Sequence, residues 1–328
     1  MKGTAMDRRQ FCAGIVAGAA LPLASARAQT WPDKPVNIIL SQPPGSGPDN
    51  IARLLADRLG HMWGKVVVIL NKPGGQNIIG AQAVARSAPD GYTFYFATTA
   101  ALVSNVYLFK QLPYDPVKDF DPVAFVATSP FGLMVPGVSP IRSIDEFIAA
   151  SKAAPDKLTL ANEGPRTLGG MAARLFNARA GIRNNLVPYA SASVGIQDAL
   201  AGRVDALIVD LAATTQHIKH GDLRLLATTS AARLKGWDTT PALSEKVPGF
   251  DMPGWFAVVA PAGTPKAVIA RVNRDINAAL AEPELVERIS AIGPIVDPGK
   301  SPGQVADFLR REHQRWSEIA KEIGLLPE

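Results

Sequence analysis

Val36-Asn37-Ile38-Ile39-Leu40-Ser41-Gln42-Pro43-Pro44-Gly45-Ser46-Gly47-Pro48-Asp49 is the stretch that decides the fold. Its first five residues, apolar except for Asn37, predict a buried strand. A Pro/Gly loop follows. Ile51, Leu54, Leu55 and Leu59 then share one face of a helix predicted over 48–59. A strand running through a glycine loop into a helix opens a parallel α/β unit. The pattern repeats at once. A buried strand is predicted over 66–70, then a turn at Asn71-Lys72-Pro73-Gly74-Gly75, a helix over 78–87 and a strand over 93–97. This order implies a parallel sheet with right-handed crossovers.

The alternation resumes after about residue 128. Ser143-Ile144-Asp145-Glu146 reads as a capping box for a helix ending near 153. Strands are predicted over 158–161, 186–188, 204–209 and 223–227. Between them, Thr167 caps a helix that stops before Gly181, and another helix covers 193–201. The tail reads as helical. Thr264-Pro265 and Ser301-Pro302 each place a capping hydroxyl before a first-turn proline. Val305, Phe308, Leu309, Trp316, Ile319 and Ile323 recur at helical spacing and read as core. The fold class is therefore α/β in two lobes, with parallel or mixed sheets flanked by helices. Residues 29–128 and 251–328 are assigned to lobe 1 and 129–250 to lobe 2, with a ligand cleft between them.

The chain opens differently. Asp7-Arg8-Arg9-Gln10-Phe11 precedes a short apolar run over 12–24, and Ala26-Arg27-Ala28 supplies small residues. Basic, apolar and small-residue regions in this order predict an export signal over 1–28, cleaved after about Ala28. The run is too short and too weakly apolar for a membrane anchor. The paired arginines fit the twin-arginine route, with Asp7 and Cys12 as departures; an ordinary Sec signal is the other reading. Removing this segment takes away Lys2, Arg8, Arg9, Arg27 and Asp7, and the formal charge falls from +5 to +2. No basic patch for nucleic acid survives. The single cysteine, Cys12, leaves as well, so the mature chain has neither disulfide nor thiolate. A periplasmic protein is expected, with no cofactor, acting as a monomer.

Two loops stand out chemically. In the first, Pro44, Gly45, Ser46, Gly47 and Asp49 lie at a helix start, where free N–H groups and the helix dipole attract anions. The dinucleotide fingerprint fails, because Asn50 stands where its third glycine belongs. Pro48 also removes an N–H, which suits a compact carboxylate better than a pyrophosphate. The other reading is a plain turn in which Asp49 satisfies its own helix. In the second loop, Gly164, Pro165, Arg166 and Thr167 again lead from a strand into a helix. Arg166 reads as a bidentate carboxylate partner or as a solvated arginine. Asn77, Thr98, Thr99, Ser104, Tyr189, Ser191 and Asp210 complete the set, and each alone reads as structural. Thr98 and Thr99 follow a strand end, where open α/β sheets bind ligands. Trp255 reads as a cleft wall or a hinge plug. Of the four histidines, His61, His217, His220 and His313, only His217 and His220 are spaced three apart on a predicted helix, which could suit a metal. No acidic or thiol partner sits at ligand spacing beside them, so an exposed helix face and no metal are expected. There is no nucleophile elbow and no serine with an evident histidine.

Further motifs carry a resemblance. They are Trp31-Pro32-Asp33-Lys34-Pro35-Val36, Pro44-Gly45-Ser46-Gly47-Pro48-Asp49, Asn71-Lys72-Pro73-Gly74-Gly75 and Ala88-Pro89-Asp90-Gly91-Tyr92-Thr93. Val187-Pro188-Tyr189, Gly202-Arg203-Val204-Asp205 and Ala260-Pro261-Ala262-Gly263-Thr264-Pro265 extend them over nearly all of residues 30–328. Together they resemble the Bug, or TctC-like, periplasmic solute-binding proteins of tripartite tricarboxylate transporters. The resemblance implies a periplasmic binding fold (type II-like) without catalysis. It implies a small carboxylate held by backbone amides and ordered water, and delivery to a permease of one large and one small subunit. It places residues 45–49, 98–99, 164–167, 189–191 and 210 around the ligand. Two departures leave the ligand class open among dicarboxylates, aromatic acids, amino acids and nicotinate-like rings. Ser46 replaces a family glycine. Glu163 and Arg166 stand where small or polar residues are common, with Gly169 where a histidine often follows. A secreted α/β enzyme acting on small acids and a sensory binding protein feeding a membrane receptor are the alternatives.

Overall fold

The structure, a computed structural model, describes residues 31–327; the export signal expected over 1–28 lies outside them. β1 (Val36–Leu40) runs through the glycine loop into α1 (Gly47–Trp63). Ser46 caps α1 by accepting from the Asp49 N–H, and Pro48 occupies the first turn, where a missing N–H costs nothing. Gly64, in the left-handed region at φ 62°, ends the helix. Ile51, Leu55 and Leu59 are fully buried beneath it. Each such side chain contributes about 1.5–3 kcal/mol.

β2 (Val67–Asn71), α2 (Ile78–Ala85) and β3 (Thr93–Thr98) follow, with β1 parallel to both strands. One expectation fails here: the apolar run over 66–70 is not buried. β2 is the edge strand of its sheet, and Val66 and Leu70 are 65% and 38% exposed. A π-helical turn at Ala100–Ser104 passes into α3 (Asn105–Leu108), and β4 (Phe120–Ser129) ends this part of the chain.

With only Pro130 between, β5 (Phe131–Pro136) starts a second sheet. There follow α4 (Ile144–Ala153), β6 (Thr159–Asn162), α5 (Leu168–Ala180), β7 (Asn185–Pro188), α6 (Ala192–Leu200), β8 (Ala206–Asp210), α7 (Leu211–His220) and β9 (Leu223–Thr228). Ser143 caps α4 by accepting from the Glu146 N–H. The reciprocal half of the expected box is replaced: the Glu146 carboxylate accepts from the Arg142 N–H instead.

The chain then returns. β10 (Gly254–Pro261) inserts antiparallel between β3 and β4, and every one of its residues is buried. A strand covered on both faces shows no polar alternation, so this run carried no periodic signal. α8 (Lys266–Leu280), α9 (Pro283–Ile292), β11 (Ile295–Val296) and α10 (Pro302–Glu322) complete the chain. Ser301 and Gln304 form a full capping box on α10. Thr264 does not cap α8: its hydroxyl donates to the Pro261 carbonyl, and Pro265 takes the cap position.

The result is a six-stranded mixed sheet, β11-β4-β10-β3-β1-β2, and a five-stranded mixed sheet, β7-β6-β8-β5-β9. Two chain crossings join them, at 129–131 and 229–253. They are tied together where Met252 N–H donates to the Thr229 carbonyl and Phe131 N–H donates to the Thr229 hydroxyl oxygen. Beneath the crossings, one continuous apolar cluster holds Phe131, Phe176, Phe250, Trp255 and Trp316. α10 reaches the second sheet, where Arg179 on α5 pairs with Glu322 at 2.8 Å. The sheets are thus anchored on one side and open into a cleft on the other.

Candidate ligand-binding cleft

The cleft encloses about 620 Å³. Three helix starts line it: Gly47 and Pro48 of α1, Thr167 and Leu168 at α5, and Ala212 and Ala213 of α7. Helix starts carry N–H groups without intrahelical acceptors and a partial positive charge. Three of them converging favour anionic oxygen in the cavity. Arg166 adds a full positive charge from the second lobe.

The first loop is held by its own acid. Asp49 is 1% exposed. It accepts from Gly45 N–H at 2.8 Å, Arg53 Nε at 2.9 Å and Asn71 Nδ2 at 2.8 Å. Burial opposes its ionisation, but the hydrogen bonds from Arg53, Asn71 and Gly45 outweigh burial and hold the carboxyl below its usual range. Gly45 takes φ 81°, which suits a residue without Cβ.

The second loop is held by amide and hydroxyl groups. Asn162 Oδ1 accepts from Gly164 N–H at 2.9 Å, and Gly164 sits at φ 112°. Thr167 caps α5 by accepting from Gly170 N–H at 3.1 Å. Gly170 is required there, because a Cβ would lie 1.9 Å from the Gly164 carbonyl oxygen. Glu163 and Arg166, the charged residues of this loop, line the cavity. Burial, with the Asp210 carboxyl adding to it, pushes Glu163 up to about 7. Burial also raises Asp210, against hydrogen bonds from the Ser129 hydroxyl at 2.6 Å and the Ala212 N–H at 2.6 Å.

Between the loops, Thr98 and Thr99 end β3. Thr99 accepts from the Trp255 N–H at 3.2 Å. Thr98 Oγ1 and Gln42 Oε1 are buried without a hydrogen-bond partner, and both residues line the cavity. Orphaned polar atoms of this kind call for a ligand or water. Trp255 forms part of the wall and donates from Nε1 to Glu312 at 2.9 Å. The lobes also touch around the cavity. The Arg166 guanidinium lies 5.8 Å from the Phe109 ring centre, and a Cβ on Gly47 would lie 3.9 Å from that of Ala212.

Of the residues singled out from the sequence, Gly45, Gly47, Asn77, Thr98, Thr99, Ser104, Arg166, Thr167 and Asp210 line the cavity. Seven others do not. Pro44 and Ser46 shape the turn, and Asp49 points into the protein. Gly164 and Pro165 form the bend before α5. The Tyr189 hydroxyl donates to Asp198 at 2.7 Å, and Ser191 pairs with Ser193 at 2.9 Å. Their strand end faces α6 rather than the cleft. Sequence reading missed Gln42, Phe131, Ala212 and Gly254, together with Ile292 and Pro294. Ala212 and Ala213 follow Asp210 into a helix, a signal that was available. Ile292 and Pro294 reach the cavity from a distant helix end and had none.

Among the described residues, no group of three or more His, Cys, Asp or Glu is placed to hold a metal. No helix among them is long and apolar enough to cross a membrane.

Residues 51–325 match the model of the tripartite tricarboxylate transporter family receptor, TctC. Protein BugT of Bordetella pertussis is 35% identical over 97% of this chain and 98% of its own length. Rpa4515 of R. palustris, solved with adipate, superposes with a TM-score of 0.82 at 31% identity, covering 91% of this chain and all of that one. MatC from Rhodopseudomonas palustris, with bound malate, superposes with a TM-score of 0.75 at 25% identity over 88% of this chain and 99% of that one. The family is one of transporter receptors, and Rpa4515 and MatC were solved with bound carboxylates, which sets aside the secreted enzyme considered from the sequence. With two mixed sheets around a cleft and a family match spanning most of its length, the chain belongs to the TctC family of tripartite tricarboxylate transporter receptors.

Proposed function

We propose that this protein captures a small carboxylate in the cleft and delivers it to a membrane permease with one large and one small subunit. The observation that carries this reading is the convergence of three helix starts and Arg166 on one cavity. Carboxylate oxygens leaving water must recover their hydrogen bonds, and these groups are the donors at hand. Adipate and malate, bound by two relatives, are precedents for a carboxylate in this fold rather than for this chain's own ligand. The ligand contacts both lobes, 29–128 with 251–328 and 129–250, and so favours their closure. Export to the periplasm with cleavage after about Ala28, and action as a monomer, belong to the same proposal.

A thermal-shift screen against small carboxylates tests it. Ligand at about 100 times its Kd adds about 2.7 kcal/mol and raises Tm by several degrees. A selective, saturable shift, with the ligand recovered unmodified, supports the reading. A flat panel on folded, ligand-stripped protein removes it.

A further inference from the structure

The groups facing the cavity are not all donors. Glu163 lines it, and among the described residues its carboxyl has neither a hydrogen bond nor an ion pair. Its electrostatic neighbour is a second acid, Asp210, also on the cavity wall. Asp210 is engaged by the Ser129 hydroxyl and the Ala212 N–H, so it is fixed in place and supplies no positive charge. From the opposite lobe, Gln42 Oε1 and Thr98 Oγ1 are buried without partners. Among the described residues, the titratable groups lining the cavity are Glu163, Asp210 and Arg166.

A plain dicarboxylate fits this wall badly. It brings acceptors alone, which suit the helix starts and Arg166 but add negative charge beside two acids. Like charges brought together away from water are costly. A ligand carrying both a carboxylate and an ammonium group answers both halves of the wall. Its carboxylate takes the helix-start N–H groups, and its ammonium supplies three donors to acceptors that lack them. Gly169 packs beside Glu163: a Cβ there would lie 2.9 Å from the Ile208 carbonyl oxygen and in ordinary contact, at 3.5 Å, with Glu163 Oε2.

Resting on the proposal of a carboxylate ligand, we infer that the ligand is an ammonium-bearing carboxylate, an amino acid or close analogue, and that Glu163 selects it by accepting from the ammonium.

The test uses ligand pairs differing in the ammonium alone: L-aspartate against succinate, L-glutamate against glutarate, L-2-aminoadipate against adipate, and L-phenylalanine against 3-phenylpropionate. Affinities are measured by calorimetry at pH 8 on purified protein expressed with its own leader. At least one amino acid is expected to bind about tenfold or more tightly than its partner, since an unfilled polar subsite penalises the analogue lacking the group. Glu163→Gln, shown folded by circular dichroism, is expected to bring that pair within about threefold. Desamino acids that bind as well as the amino acids overturn the inference and leave the carboxylate reading standing. A preference that survives Glu163→Gln overturns the role of Glu163. Failure of all eight compounds on folded protein overturns both readings together.

Discussion

The two cleft loops share one grammar and use charge in opposite ways. Each leaves a strand, bends at a left-handed glycine and enters a hydroxyl-capped helix: Gly45 and Ser46 in the first lobe, Gly164 and Thr167 in the second. In the first loop the acid is spent internally, with Asp49 buried under three donors. In the second, Asn162 performs that task with a neutral amide, and the acid Glu163 stays unpartnered at the cavity. A carboxylate at a loop is therefore scaffold or recognition according to where its hydrogen bonds go.

The sharpest way to break this contrast is Asp49→Ala. It strands the Gly45 N–H and the Asn71 amide, so a loss of about 2–4 kcal/mol in urea unfolding is expected. A loss under about 0.5 kcal/mol would mean that Asp49 is not scaffold.

Glu163→Gln should move stability the other way, and only at high pH. The folded carboxyl titrates near 7, above its ordinary 4.5. Between those values the folded state holds a proton the unfolded state has lost, so stability falls as pH rises through this window. Removing the charge should stabilise the protein by about 1–3 kcal/mol at pH 8 and change little near pH 4. Equal unfolding midpoints for variant and parent at pH 8 would contradict the burial of an unpartnered acid.

Arg166→Ala should weaken carboxylate binding about 10–100-fold, read by calorimetry, with the fold intact. Unchanged affinity would remove Arg166 from the recognition set. The smallest effect belongs to Tyr189→Phe. Its hydroxyl bonds Asp198 outside the cavity, so stability should drop by about 1 kcal/mol or less and affinity stay within about twofold. A large affinity loss would place Tyr189 at the ligand after all.

Local rules made much of this legible. The opening strand, glycine loop and helix could be read because their signals are adjacent in sequence: an apolar run, Ser46, Pro48 and 3.6-residue spacing. Thr98, Thr99 and Asp210, selected by a rule of position at strand ends, line the cavity. The same rule selected Tyr189, which does not line the cavity: β7 is an edge strand, and the Tyr189 hydroxyl bonds Asp198 on α6. Asp49 carried two readings in the sequence; its buried carboxylate, with three donors bonded to it, supports the structural one.

The sequence by itself determined the α/β alternation, the helix caps at Thr167 and Ser301, and the two glycine loops, all of which rest on interactions within a few residues. Tertiary structure alone decided that β10 returns to the middle of the first sheet and that Val66 and Leu70 stand at an edge. It alone set Glu163 beside Asp210, 47 positions further along the chain. The physical reason is that burial and Coulomb energy depend on distance in space, which chain spacing does not encode.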